Sequence, residues 1–159
     1  MRQETRNRAL GRFAVLTAGM TLLLILAGGW VTSTKTGDSI SEWPWLMGKI
    51  EPGFPIEWTH RALAMVVSAL VTVLAGWTHL SEKRPWVRRL AFAALGGILV
   101  QAAIGGVRIY LTRAAVGIAH ACFGQLVFCA VGAVALVLSR SWEESTEDAA
   151  AGPARGLGT

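Results

Sequence analysis

The sequence predicts an all-α membrane protein, a bundle of four transmembrane helices with both termini cytoplasmic. Three observations predict it. Four apolar segments, running through Phe13–Val31, Glu57–Trp77, Leu90–Leu111 and Ala114–Leu138, approach or exceed the ~20 residues that carry a helix across the hydrocarbon core. Only 16% of the 159 residues are charged, against about 25% in an ordinary soluble domain. Basic residues and tryptophans gather at the ends of the segments, not inside them.

The first segment follows a basic tail, residues 1–12, that carries Arg2, Arg6, Arg8 and Arg12. Its apolar run is longer than the ~7–15 residues of a signal-peptide core, so it reads as a span. The segment 34–55 is the one long connection. Gly37, Pro44, Gly48, Pro52, Gly53 and Pro55 interrupt it, and Pro55 suits the first turn of helix two, where its missing N–H is no loss. The connection from helix two to helix three is short and basic, with Lys83, Arg84, Arg88 and Arg89. Helices three and four are joined by a few residues and form a tight antiparallel hairpin. Residues 13–139 thus make one four-helix domain. The tail 140–159, acidic and then rich in Ala and Gly, is expected to be disordered.

By the positive-inside rule, the arginine-rich tail and the 2–3 connection are cytoplasmic, and the 34–55 segment lies outside. The formal net charge of +5 is explained by this placement and does not point to nucleic acid. Trp30, Trp43, Trp45 and Trp58 fall near the outer boundary and Trp77, Trp86 and Trp142 near the inner one, as interfacial aromatic belts do. Cys122 and Cys129 are two helical turns apart, about 10.5 Å, too far for a disulfide; they read as small buried apolar residues. The glycines of the spans, Gly28-Gly29, Gly96-Gly97, Gly105-Gly106, Gly117, Gly124 and Gly132, allow close helix packing in lipid, or leave room for a flat cofactor.

Three histidines occur. His79 is at the cytoplasmic end of helix two and is given no role. His60 lies about one turn into helix two and His120 about two turns into helix four, both ~5–10 Å inside the outer boundary. Ionisable groups inside a span are expensive and usually functional. Two histidines at matched depth on separate helices suit bis-histidine ligation of a haem; helix–helix hydrogen bonding, another metal or a proton relay are the alternatives. Gly117 and Gly124 flank His120, and Ala64 and Ser68 follow His60, leaving space for a porphyrin plane. Arg61, Arg108 and Arg113 cluster near the same boundary, where guanidinium groups pair with propionates or snorkel. Glu57 begins helix two, where the dipole and an i+4 pairing with Arg61 together contribute ~1 kcal/mol. It also shares a face with His60 at i+3.

These residues resemble the haem A synthase family. "GGWVTSTKTG" followed by "EWP" is similar to the end of that family's first helix and its outer loop, "EWTHR" to its Glu-x-x-His-Arg signature, "QAAIGGVRI" to its Gln…Gly-Gly segment, and "AHACF" to the histidine of its helix four. The resemblance covers residues 27–130 with the four elements in order. Family members commonly have eight helices in two halves, each with a histidine pair; this chain has one pair, and no cysteine in "SEWPWLMG", so any thiol–disulfide step in that loop is absent.

The resemblance implies oxidation of the haem O methyl group to the formyl group of haem A, with haem B or haem O, and hence iron, as the bound group. His60 and His120 would be the axial ligands, Arg61 and Arg108 cofactor-binding, and Glu57 the catalytic residue. It implies a homodimer or a second half-length partner to supply the other histidine pair, and a haem O synthase and a terminal oxidase as partners. A non-catalytic bis-histidine b-type cytochrome needs the same histidines but not Glu57, and a haem-binding oxidase assembly factor needs no redox chemistry.

Overall fold

The computed structural model describes residues 2–37, 54–111, 114–139 and Trp142. They form four helices: α1 (Arg2–Ser33), α2 (Phe54–Ser81), α3 (Pro85–Tyr110) and α4 (Ala114–Val137). All four contain stretches long and apolar enough to span a membrane, so the chain is an integral, multi-pass membrane protein. The expectations for most of the outer segment, for Arg113 and for most of the C-terminal tail fall outside the described residues.

Helix ends follow local chemistry. Pro85 sits at the start of α3 behind an extended Arg84 (φ −72°, ψ 114°), where a proline needs no donor. Lys35 ends α1 in the left-handed region (φ 55°). Thr36 N–H then bonds the Val31 carbonyl at 3.1 Å and Lys35 N–H the Thr32 carbonyl at 3.3 Å, a closure that satisfies carbonyls left over at a helix end. The helices overrun the apolar segments read from sequence. α1 begins within the basic tail, and α2 begins at Phe54, ahead of Glu57, because arginines and a first-turn proline are both compatible with helix.

The helices pack in cyclic order, α1 on α2, α2 on α3, α3 on α4 and α4 on α1. α2 and α4, the two helices with spanning histidines, are therefore diagonal. Buried apolar side chains form two layers. One, at the end where α2 turns into α3, joins Leu10, Ala14, Leu74, Val87, Ala91 and Val134. The other, at mid-bundle, joins Val67, Val71, Ala94, Ile98, Val127 and Val131. Most of these residues are small, and most of the large ones face outward, among them Leu23, Leu26, Leu99 and Leu126. That is the expected inversion in lipid, where tails solvate leucine and close backbone approach supplies the packing energy. Gly11 shows it: a Cβ there would run into the Leu138 carbonyl of α4. Thr17 and Thr21, both buried, return their hydroxyls to the Phe13 and Thr17 carbonyls at 2.9 and 2.8 Å, so neither hydroxyl is stranded.

The α2–α3 turn is more ordered than a short basic loop suggests. Glu82 accepts the backbone N–H groups of Lys83 (2.8 Å) and Arg84 (2.9 Å) and the Arg84 guanidinium at 3.1 and 2.8 Å. Arg84 also donates to the Val137 carbonyl at 3.3 Å, tying the turn to the end of α4. Burial pushes the Glu82 carboxyl up, but the hydrogen bonds and charge of Arg84 outweigh it and leave the group below the usual carboxylate value. His79, at this end, is exposed and meets the Phe92 ring edge-on at 5.5 Å, far from the other two histidines. The cysteines correct the sequence reading: Cys122 and Cys129 are free and exposed, because two residues seven apart share one face of α4 and that face points out of the bundle.

Candidate functional site

His60 is the seventh residue of α2 and His120 the seventh of α4. Each therefore lies about two turns into its helix, because α2 begins at Phe54, ahead of the Glu57 start read from sequence. They lie on diagonal helices, half-buried, within electrostatic range of each other and of Arg108. Each ring lies against a glycine of the preceding helix. A Cβ on Gly28 of α1 would stand 3.1 Å from His60 Cε1, and one on Gly105 of α3 would stand 3.1 Å from His120 Cε1. Both glycines are five residues from the end of their helix.

The bundle is thus two similar hairpins, each with a Gly-Gly pair on its first helix and a histidine on its second. The sequence carried that signal, Gly28-Gly29 then His60 and Gly105-Gly106 then His120, but a repeat interrupted by connections of very different length is hard to see by eye. The glycines that make room for the rings are these, not the ones beside His120. Gly124 is filled by the Gln101 amide, whose nitrogen would lie 2.9 Å from a Cβ there, and Gly117 borders the Arg108 guanidinium.

Glu57 and Arg61 form an ion pair at 2.6 Å with a second contact at 3.1 Å, both on Oε1. Glu57 is 4% exposed, so the carboxylate is held inside the protein at the level of the first turn before His60. Arg108 is half-buried. It packs against Gly37 and Gly117, and among the described residues no carboxylate is within ion-pairing distance of it. Gln101 was quoted within a motif but missed as a site residue. Its amide nitrogen donates to the His120 carbonyl at 2.8 Å and stands 3.5 Å from His120 Nε2.

The donor set fits the iron of a haem. His60 Nδ1 and His120 Nδ1 are buried and have no hydrogen-bond partner among the described residues, which is costly unless a ligand takes the place of water. Two imidazoles on opposed helices match axial ligation. No group of three or more metal-type ligands occurs among the described residues, so two-point ligation of a metal already held in a ring suits the site better than a protein-only cage.

A membrane bundle with a pair of half-buried histidines on diagonal helices defines the class of protein. Comparison with known proteins goes further. The chain is 39% identical to a haem A synthase of an Exiguobacterium species over 57% of this chain and 32% of that protein. It is 29% identical to that of Exiguobacterium sibiricum over 89% of this chain and 50% of the relative, and 30% identical to that of Shouchella clausii over 79% and 44%. The chain is a homologue of bacterial haem A synthases and spans half or less of the length of these relatives. No family model matches it, and no solved structure does.

Proposed function

We propose that the chain is a haem A synthase-like membrane oxidoreductase, acting on haem O at the end of the bundle that holds His60 and His120. The observation that carries this reading is the pair of histidines at the same place in α2 and α4, each with a buried nitrogen that has no hydrogen-bond partner among the described residues, with a buried carboxylate three residues before one of them. His60 and His120 would hold the iron. Arg108, without a carboxylate partner among the described residues, is the better placed cation for a propionate. Arg61 serves Glu57 first and the haem second.

Bound haem would supply the redox chemistry of the methyl oxidation. Converting a methyl to a formyl group adds one oxygen atom at the oxidation level of water and releases four protons and four electrons; the electrons must pass to an acceptor outside this chain, and the protein must dispose of the protons at the reacting carbon. Glu57 is the acidic group on the face of His60, and the Arg61 ion pair orients its carboxylate. A carboxylate at that point stabilises positive charge developing nearby and accepts a proton. The interior placement excludes bulk water, so each of these interactions is stronger than at a surface.

The arginine-rich tail and 2–3 connection are proposed to face the cytoplasm, which puts the site near the outer surface. A second copy of the chain, or a second half-length protein, would provide the other histidine pair. A haem O synthase would supply the substrate, and a terminal oxidase would receive the product. The Glu57–Arg61 ion pair gives the carboxylate a structural reason to exist, and this favours one alternative, a bis-histidine b-type cytochrome. The deciding experiment is to express the chain in cells that make haem O, extract the bound haem and identify it chromatographically. Haem A supports the synthase. Haem B alone favours the cytochrome. Absence of haem defeats both.

A further inference from the structure

One difference between the two hairpins lies on the helix that precedes each histidine. Four residues before the glycine under each ring, the first hairpin has Leu24 and the second Gln101. His60 Nδ1 has no hydrogen-bond partner among the described residues. His120 meets a side chain that touches it twice, at its own carbonyl (2.8 Å) and at ring Nε2 (3.5 Å). A carbonyl only accepts, so the amide nitrogen must face it and the amide cannot turn over. The surroundings are shaped to admit this amide. Gly124, one turn beyond His120, has no Cβ where one would press on the Gln101 nitrogen at 2.9 Å, while the matching position of the first hairpin is Ala64, opposite leucine. Gln101 Oε1 is buried with no partner among the described residues, so the group is not there for its own hydrogen-bonding balance.

We propose that Gln101 is a positioning residue for His120: by donating to the His120 carbonyl and standing beside the ring edge, with no hydrogen bond to a ring nitrogen needed once iron is held, it limits how the imidazole can turn, so that the two histidines are presented to a bound haem unequally. This rests on the reading of His60 and His120 as haem ligands. Groups that orient a ligand tune its affinity and the properties of the metal, and among the described residues the second hairpin alone has one.

The test uses the purified full chain reconstituted with ferric haem B. Binding is read by absorbance titration, ligand orientation by the electron paramagnetic resonance g values of the low-spin haem, and tuning by the midpoint potential. Gln101→Met keeps length and removes the amide; Gln101→Asn keeps the amide but withdraws it by one methylene. Gln125→Met, an exposed glutamine of α4, is the control. Both Gln101 variants should still bind haem in the low-spin form, with affinity lowered about tenfold or more, and with shifted g values and potential; the control should match the parent. A folded Gln101 variant with parental g values and potential overturns the positioning role. If neither variant folds, Gln101 is a folding residue and the proposal is also overturned. If the parent chain binds no haem, the ligand reading itself fails.

Discussion

Glu57 and Arg61 are joined by a 2.6 Å ion pair one turn apart in α2, with side-chain exposures of 5% and 12%. Burial changes the magnitude expected from sequence. A surface pair at this spacing contributes a few tenths of a kcal/mol, but removing one partner of a buried pair leaves a charge uncompensated and costs about 3 kcal/mol or more. Glu57→Gln should therefore lower the thermal stability of the chain measurably while leaving the iron ligands in place. Haem should stay bound, and its conversion to haem A should stop. Chromatography of the extracted haem checks this; conversion at the parental rate would reduce Glu57 to a structural partner of Arg61.

His60→Ala and His120→Ala should each abolish the low-spin bis-histidine absorbance spectrum of the haem-loaded chain. His79→Ala should leave it intact, since His79 is exposed at the other end of α2. Survival of the spectrum in either of the first two variants would remove that residue from the ligand set.

Neighbouring glycines should behave oppositely. Gly28→Ala places a methyl 3.1 Å from His60 Cε1 and Gly105→Ala does the same to His120, whereas a Cβ on Gly29 meets nothing within 4 Å. The first two should displace the rings and weaken haem binding. Gly29→Ala should bind as the parent does and gain up to ~1 kcal/mol in helix stability from propensity alone. Haem titrations of the three variants decide it, and equal affinities would show that the rings are not seated on these glycines.

Glu82 should make stability depend on pH. Its carboxyl is held below the usual carboxylate value in the folded protein, so the folded state binds the proton less readily than the unfolded one. The stabilisation is complete above the unfolded value and is lost as pH falls through the folded one. Glu82→Gln should cost about 1–2 kcal/mol at neutral pH. Melting curves of both proteins in detergent should converge as the solution is acidified, and a constant gap would count against the charge of Glu82.

If one chain offers one histidine pair, two copies should assemble. Native mass spectrometry in mild detergent should find a homodimer, and an active monomer would refute that arrangement.

Much of the architecture was legible in the sequence because lipid imposes it. A chain in hydrocarbon must satisfy its backbone internally, so four long apolar segments allow little besides four helices, and the positions of His60, His120, Glu57, Arg61 and Arg108 on them follow from counting. The i+4 spacing of Glu57 and Arg61 also announced their pairing. Only the tertiary structure decided which helices are diagonal, and hence that two histidines 60 positions apart in sequence share one interior. It also decided that Gly28 and Gly105 seat the rings while Gly124 seats Gln101, that Cys122 and Cys129 face outward, and that Glu82 binds the α2–α3 turn to α4 through Arg84. The physical reason is common to all of these. Spanning helices are apolar on every side, so periodicity does not mark their inner face. The rotation of each helix is set by close contacts between small residues on different helices, which no single segment contains.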